Sequence, residues 1–544
     1  MRRRDIPMAI LAAAIVSPIL TGCSESRRGE TANYPRTPEE IAAGVVPVDD
    51  RLPPGAWRRY GADPTGRADS TGAIQVACSV STFAFDDAGG TYRVAGVIDV
   101  GSNLTVAGIA NRTELIVTAA DSSVFVAQNA NRVLIEGIRF RVLMPSALAY
   151  TAPVVFADSS ECVCRDCEFS GCSWAGVWLP NALNCTVTGC YFHDFLGSVQ
   201  DSADICVYNN ASNNIITDNR CFGGNDHGIL IENPYNNAFP SNNLVARNHI
   251  AGQKAYGVCL YVPDEGNTYN QILDNNIENI SGIGFKGVSG PGIYVAGTGA
   301  GGTLIAENTI THCCIETRVR TESPGGIGLH GMSATNAPLT IANNVINAMA
   351  SYDGIVVIRS AAKISITGNT VQFPAGNIEG TPIRVESSSY VSVTANTLNR
   401  PPSEGRCIFV FANGFPSTDL TVSSNICSGG NYNQIDFTSG AGGYLERIVC
   451  SNNSCSDGGA AESAVCLGFA ATTGAIVSGN YGSSTDAVAF YLDDAKDFQI
   501  RENTFNSEGS TSVIAKGSCD GSVYASSNLQ NRAIVNLAVG LLVE

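Results

Sequence analysis

One short phrase recurs along more than half of the chain: apolar, any, apolar, any, any, asparagine, any, apolar. Twelve copies run from about residue 212 to residue 528, among them NNIITDNRC, AKISITGNTV and KDFQIRENTF. The asparagines of the copies are Asn219, Asn248, Asn275, Asn308, Asn343, Asn369, Asn396, Asn425, Asn453, Asn480, Asn503 and Asn528. They follow one another at intervals of 23 to 35 residues. A recurring interval of this size, with strand-like alternation inside each unit, predicts a solenoid.

Each unit holds only two or three short strands, so it cannot bury an apolar face alone and must stack on its neighbours. An asparagine suits a corner of each coil, because it tolerates left-handed backbone and its amide can bond to the next coil's asparagine. A leucine-rich repeat would need a fixed leucine consensus and a recurring helix, and the sequence has neither. With the earlier variants VLIEGIRF, CVCRDCEF and CTVTGCYF, the pattern predicts an all-β, single-stranded parallel solenoid of about fifteen coils.

This pattern resembles the right-handed parallel β-helix of pectate lyases, polygalacturonases, alginate-modifying enzymes and phage tailspikes. The stretch YGADPTGRADSTGAIQ, residues 60–75, is similar to the segment that opens the helix in this superfamily. Its Asp63 and Asp69 are expected to be structural. Asp69, Ser70 and Thr71 offer N-caps to a short helix running toward Val80, which would cap the open end of the solenoid.

Composition restricts the partners. The net charge is −17 over 544 residues, which argues against nucleic acid. Lysine occurs only five times, so a cationic site would rely mainly on arginine. The oligomeric state is left open.

The N-terminus carries an export signal. Arginines 2–4 precede an apolar run that ends in Leu-Thr-Gly-Cys, which looks like a bacterial lipobox with Cys23 as the lipidated residue. An ordinary secretory signal is the alternative. The predicted organisation is a lipoprotein signal over 1–23, a flexible tether over 24–55, an N-terminal segment and cap over 56–90, and the β-helix over 91–544. The expected location is the outer membrane, periplasm or cell surface, with a membrane contact through the lipid.

Without Cys23, 18 cysteines remain. Cys162 and Cys185, like Cys167 and Cys190, are 23 residues apart, which is one coil. Neighbouring coils lie about 4.8 Å apart, so disulfides between coils and reduced ladders in the core fit the spacing equally well. The cysteine spacing does not indicate zinc.

A second strand in each coil usually begins at a glycine. If the aliphatic residues one and three positions after it point inward, the residues before it and two and four positions after it line an outer face. That face collects aromatic and carboxylate side chains, which suit a carbohydrate groove because rings stack on sugars and carboxylates bind hydroxyls or move protons. Its substrate-binding candidates, together with two cations nearby, are Glu232, Lys254, Tyr256, Tyr261, Tyr294, Arg318, His330 and Asp353. The longest intervals, around residues 281–290 and 314–325, predict loops that wall this groove.

The segments ADICV and RCFGGNDHGI resemble two catalytic coils of polygalacturonase-type hydrolases. The resemblance places Asp204 at an acid position and His227 at the histidine position. Asp226 on the neighbouring coil could supply the second carboxyl that an inverting hydrolase needs. The family's aspartate before Asp204 is Ala203 here, and its Arg-x-Lys strand is Cys-Leu-Tyr, so the motif is incomplete.

A second mechanism is β-elimination or C5 epimerisation of a uronic acid. His227, Tyr256 and Tyr261 could act as base and acid, with Lys254 or Arg318 neutralising the carboxylate. The sequence indicates no metal ligand set and no cofactor, although calcium occurs in this class. The predicted function is therefore cleavage of a polysaccharide by hydrolysis or elimination. The alternatives are a C5 epimerase and a non-catalytic glycan-binding or scaffold lipoprotein.

Overall fold

A computed structural model describes residues 33–118, 123–143, 150–196, 201–224, 226–233, 239–282, 290–314, 325–333, 337–347, 353–374, 380–401, 405–430, 433–458, 466–484, 488–508 and 511–544. Cys23 and Arg318 lie outside these residues.

The described chain winds through three parallel sheets, here named A, B and C in the order in which each coil passes through them. Every strand pairs with the strands one coil before and after it, so the predicted all-β parallel solenoid is confirmed. From Ile138–Val142 onward the fifteen strands of sheet B correspond to the predicted number of coils.

Sheet A consists of Phe83–Phe85, Thr105–Ala107, Leu134–Glu136, Val163–Arg165, Thr186–Thr188, Ile215–Thr217, Leu244–Ala246, Gln271–Leu273, Leu304–Ala306, Leu339–Ala342, Ile364–Thr367, Val391–Thr394, Ser417–Ser423, Leu445–Ser451, Thr472–Ser478, Gln499–Arg501, Val523–Tyr524 and Leu542–Val543. Sheet B consists of Thr65–Asp69, Thr91–Val94, Thr113–Val117, Ile138–Val142, Glu168–Ser170, Tyr191–His193, Arg220–Phe222, His249–Ala251, Asn276–Glu278, Thr309–Thr311, Val345–Asn347, Thr370–Gln372, Thr397–Asn399, Ile426–Ser428, Ser454–Gly458, Tyr481–Ser484, Thr504–Ser507 and Leu529–Gln530. Sheet C consists of Ile98–Asp99, Phe125–Gln128, Val154–Ala157, Ala175–Pro180, Ala203–Tyr208, His227–Glu232, Tyr256–Tyr261, Ile293–Ala296, Gly325–His330, Asp353–Ile358, Ile383–Glu386, Ile408–Ala412, Ile435–Ser439, Leu467–Ala470, Phe490–Asp493, Thr511–Lys516 and Ala533–Asn536.

The core is a continuous column of aliphatic and aromatic side chains from the inner faces of the three sheets. Like residues stack on like residues from coil to coil. In sheet B the rings of Phe140, Phe169 and Phe192 lie parallel, with centroids 4.9 and 4.8 Å apart. The core therefore grows by one layer with each coil, as the short strands of the sequence require.

The repeated asparagines form a buried ladder at the corner between sheets A and B. Asn219 Nδ2 donates to Asn248 Oδ1 (3.0 Å) and to the Val187 carbonyl (3.0 Å), and the same pattern continues to Asn528. The prediction is wrong at Asn343, because Asn344 occupies the ladder position there. The left-handed residue of the corner is the one before the ladder asparagine, Asn343 among them with φ 56°. The asparagine is thus needed for its side-chain amide rather than for its backbone.

A second ladder, which the sequence reasoning missed, runs along the corner between sheets C and A. Asn214 Nδ2 donates to Asn243 Oδ1 (3.0 Å), and Asn243 Nδ2 donates to Asn270 Oδ1 (3.1 Å). In the preceding coil the backbone N–H of Cys185 donates to Asn214 Oδ1. All 18 described cysteines are free and buried, which corresponds to reduced thiols packed in the core.

The N-terminal end is covered by the helix Thr71–Val80, as predicted, with Ser70 before it. A 3₁₀ turn Trp57–Tyr60 and a short helix Pro38–Ala42 lie beside it in the chain. In residues 33–55, the described part of the predicted tether, the chain is folded against this cap. Buried Arg59 pairs with buried Glu40 at 2.7 Å. Arg59 also donates to the Leu52 carbonyl and Glu40 accepts from the Tyr60 hydroxyl, and these bonds offset the cost of burying the two charges.

The strands Ala533–Asn536 and Leu542–Val543 extend sheets C and A at the far end. None of the helices within the described ranges has the length and apolarity that crossing a membrane requires.

Candidate active site

The outer face of sheet C carries the predicted groove residues. The residues before the strand glycine, and two and four positions after it, point away from the core and line up from coil to coil. His227 is in register with Tyr256, and Glu232 is in register with Tyr261. Their apolar neighbours form a cluster separate from the core. The alternation predicted from the glycines therefore identifies the outer face correctly.

Three rings stack across successive coils on this face. His227 lies parallel to Tyr256, with centroids 5.0 Å apart and 2° between the planes. Tyr256 in turn stacks on Tyr294 at 4.7 Å and 15°. The stack is nearly buried, with exposed fractions of 5, 6 and 8%. It holds the imidazole in one orientation, because a ring clamped along its face cannot rotate freely.

A second aromatic group lies on the same face, toward the N-terminal end. Tyr150 contacts Trp174, Trp178 and Tyr208, with ring centroids 5.2, 6.0 and 5.7 Å away. Trp174 and Tyr208 are buried, whereas Trp178 is half-buried and Tyr150 is 45% exposed. Tyr150 and Trp178 thus offer aromatic surface to a ligand on a base of buried rings. Tyr150 did not emerge from the sequence, because it lies outside the strands that the glycines mark.

Asp201 and Asp226 lie beside His227, the first ring of the stack. One ligand-type atom from each lies within 4.8 Å of those of the other two. The backbone N–H of Asp201 donates to Asp226 Oδ2 (2.9 Å), and His227 Nε2 lies 3.7 Å from the same oxygen. Asp226 and His227 are buried, while Asp201 is the exposed member. These groups could move protons or hold a divalent metal ion.

The electrostatics of His227 follow from its burial. Desolvation lowers the pKa of the imidazole, since burial penalises the charged form, and the nearby Asp226 and Asp201 oppose this only in part. Its Nδ1 atom has no hydrogen-bond partner among the described residues. His227 is therefore a neutral imidazole suited to accepting a proton. The sequence pointed to His227 and Asp226 but not to Asp201, which precedes its strand in a corner with no repeating pattern.

Asp204 does not face this group. It occupies the glycine position of its strand, next to Ala203, which is in register with His227. At the equivalent Gly228, a Cβ would point at the core residue Ile250. Accordingly, Asp204 is completely buried in the interior. The structure therefore does not bring Asp204 and Asp226 together over a substrate, and it does not support the predicted acid role of Asp204.

The remaining candidates spread along the face. Glu232 is half-buried, Tyr261 is 39% exposed and Lys254 is exposed. His330 and Asp353 belong to strands three and four coils beyond His227, about 14 and 19 Å along the helix axis at the usual strand spacing. Asp353 pairs with Arg384 at 3.0 Å.

Comparison with known proteins agrees with this architecture. A family model described as a right-handed beta helix region matches residues 122–310. The catalytic unit of a thermostable GH87 α-1,3-glucanase from Streptomyces thermodiastaticus superposes with a TM-score of 0.54 at 16% identity, over 75% of this chain and 70% of the other. The chain is a right-handed parallel β-helix protein.

Two other β-helix structures are more distant. A tailspike protein of E. coli bacteriophage HK620 in complex with a pentasaccharide has a TM-score of 0.46 at 13% identity, over 76% of this chain and 73% of the other. The periplasmic alginate epimerase AlgG has a TM-score of 0.41 at 13% identity, over 67% and 78%. These neighbours are carbohydrate-active β-helix proteins. No curated protein sequence matches the chain significantly.

Proposed function

We propose that this β-helix protein hydrolyses glycosidic bonds of a polysaccharide bound along the outer face of sheet C. The observation that carries the proposal is the group of Asp201, Asp226 and His227 at the start of the aromatic stack, on the same face as a partly exposed aromatic cluster. A pair of carboxyl groups catalyses the reaction in most glycoside hydrolases, and aromatic rings stack on the faces of sugars.

The two aspartates have different environments, which suits different roles. Asp226 is buried and accepts the Asp201 backbone N–H, a hydrogen bond that favours its ionised form. We assign it the role of nucleophile or charge stabiliser at the sugar carbon. The exposed Asp201 can exchange protons with water and is assigned as the acid and base. Oxygens within 4.8 Å of each other are too close for the separation of roughly 6.5–9.5 Å that an inverting enzyme needs. The products should therefore retain the anomeric configuration.

The substrate is expected to be a neutral glycan. The net charge of −17 would repel a polyuronate before it reached the groove. The Streptomyces β-helix neighbour is a glucanase, which agrees with a neutral glucan but shows similarity in fold alone.

β-Elimination is the second candidate, and a specific observation favours it. His227 is neutral, buried and stacked on Tyr256, and no side chain or backbone group in the described part of the chain bonds to its Nδ1. Such an imidazole could remove the C5 proton of a uronate while a tyrosine protonates the leaving oxygen.

A glycan panel separates these functions. Release of reducing ends without the ultraviolet absorbance of unsaturated uronate supports hydrolysis, whereas both signals together support elimination. Asp226→Asn should lower hydrolysis at least a thousandfold, and Asp201→Asn at least a hundredfold. Asp274 is an exposed aspartate at a corner two coils away, so Asp274→Asn is the matched control and should leave the rate of hydrolysis unchanged. Binding without product on every glycan would overturn the enzymatic proposal and favour the non-catalytic glycan-binding alternative.

We further propose that the protein is exported and anchored through Cys23. The support is the charged, apolar and small-residue order of residues 2–23.

A further inference from the structure

Asp204 is a charged residue type enclosed by the core. Its exposed fraction is 0%, and it lies at a strand position where neighbouring coils have glycine. A lone carboxylate there would cost several kcal/mol, so its surroundings must either neutralise it or protonate it.

Among the described residues two polar side chains contact it, the thiol of Cys221 and, one corner further along, the amide of Gln253. Gln253 Nε2 donates to Asp204 Oδ2 at 2.8 Å, and Gln253 is also completely buried. Within the described ranges two acceptors then have no hydrogen-bond partner, Asp204 Oδ1 and Gln253 Oε1. Both lie beside Gly224, where a Cβ would fall 1.9 Å from Gln253 Oε1 and 3.1 Å from Asp204 Oδ1. Both oxygens are buried acceptors beside Gly224, and a single hydrogen shared between them would give each a hydrogen bond.

We propose that Asp204 is a neutral carboxylic acid whose Oδ1–H donates to Gln253 Oε1, and that this acid–amide pair positions the corner carrying Asp226 and His227. A single proton satisfies both unpartnered oxygens and closes a ring of two hydrogen bonds. Burial also raises the pKa of the Asp204 carboxyl well above its usual value, and the Gln253 donor offsets this only in part.

Within the described ranges no charged side chain pairs with Asp204. The titratable groups that face it are the thiols of Cys221 in sheet B and Cys172 in the adjoining corner. Burial raises the pKa of both thiols well above the usual value, so both are neutral. A protonated Asp204 therefore faces only neutral groups.

The pair acts on the site through the corner that contains Gly224. The Gln253 side chain fills the space where any larger residue at 224 would place its Cβ. Gly224 is thereby held against the core, two residues before Asp226 on the outer face. This positioning role rests on the proposed function, whereas the protonation of Asp204 does not.

Isosteric substitution tests the protonation without any substrate. Asp204→Asn keeps both hydrogen bonds, because its amide N–H replaces the carboxyl proton, while Asp204→Ala removes both. In the unfolded chain Asp204 ionises above about pH 4, whereas in the folded chain it keeps its proton. The folding equilibrium constant of the wild type should therefore fall up to tenfold with each pH unit above that point. We expect Asp204→Asn to remove this slope between about pH 5 and pH 8 in urea unfolding, and Asp274→Asn to leave it in place.

Infrared difference spectra give a second readout. The carbonyl band of a protonated carboxyl should be present in the wild type at neutral pH and absent from Asp204→Asn. A wild type with neither the slope nor the band contains an ionised Asp204, and the proposal is then wrong even if Asp204→Ala unfolds.

Activity distinguishes positioning from catalysis. Asp204→Asn should stay within about tenfold of wild-type hydrolysis, whereas Asp204→Ala should lose more than that. Loss of activity in Asp204→Asn with an unchanged KM and intact folding would make Asp204 a catalytic acid and refute the positioning role. If no glycan is cleaved at all, the proposed function fails, but the slope and the infrared band still decide the protonation.

Discussion

The asparagine ladder predicts a sharp difference between two adjacent residues. Asn275 is buried in the ladder, while Asn276 is the next residue and is exposed on sheet B. Truncating each to alanine changes the same chemical group at nearly the same place. Only the first variant should lose substantial stability.

The hydrogen bonds of Asn275 set the magnitude. Its Nδ2 donates to the Val245 carbonyl (3.0 Å) and to Asn308 Oδ1 (2.9 Å). Its Oδ1 accepts the backbone N–H and the Nδ2 of Asn248, both at 3.0 Å. In Asn275→Ala the Asn248 backbone N–H, one proton of Asn248 Nδ2 and the Val245 carbonyl each lose a buried hydrogen bond, at a cost of roughly 1–3 kcal/mol each. We expect a loss of roughly 3–6 kcal/mol, against less than about 0.5 kcal/mol for Asn276→Ala.

The measurement is urea unfolding followed by far-ultraviolet circular dichroism, with unfolding rates as a check where refolding is incomplete. Asn275→Asp adds a third case, since aspartate still accepts both bonds from Asn248 but cannot donate to Val245. Equal losses in Asn275→Ala and Asn276→Ala would show that water or the backbone replaces the ladder bonds, and would refute the reasoning.

Three further predictions concern other parts of the chain. Tyr150→Ala should weaken glycan binding about tenfold by calorimetry, because it removes an exposed ring of the aromatic cluster, while Tyr390→Ala, equally 45% exposed on a different corner, should not change it. The guanidinium of Arg59 lowers the pKa of Glu40 from 4.5 to about 2, so the cap should lose roughly 3 kcal/mol as the pH falls from about 4.5 to 2, and hydrogen exchange of residues 33–55 should show that loss in the wild type but not in Glu40→Gln. Cys23→Ala should release the protein from the membrane fraction of the cells that export it, and a variant that stays with the membranes would contradict the lipid anchor.

The sequence was sufficient for the scaffold because each coil repeats the same physical requirement. In each coil an inward aliphatic residue alternates with an outward residue, and a buried amide forms the hydrogen bonds of the corner. Because the pattern occurs twelve times, it predicts the coil even where one copy departs from it. The error of one residue at Asn343 arose because two asparagines stand side by side there, and only contact with the next coil shows which side chain is buried. The second ladder also had a signal, since Asn214, Asn243 and Asn270 each precede a ladder asparagine by five residues.

The site was less predictable, for two reasons. Asp204 departs from the alternation of its strand, because Asp204 and the following Ile205 are both completely buried in the interior. Alternation alone would place two consecutive residues on opposite faces. Asp201 lies in a corner of variable length, where no repeat fixes the backbone. The outward residues of the regular strands, His227 and Tyr256 among them, were found because they obey the alternation. What surrounds them comes from the loops, whose conformation no periodic pattern encodes.

Outside its own coil, each described ladder asparagine bonds to the coil before it and the coil after it, so one coil is the natural unit by which the structure can change. Deleting residues 370–396 would remove one whole coil and bring Asn369 directly under Asn425, with the same amide contacts as before. The length of the molecule can therefore vary in steps of one coil, about 4.8 Å each, far from Asp226 and without altering it. A rod built this way can be lengthened or shortened to match the reach of its target while the chemistry stays in place.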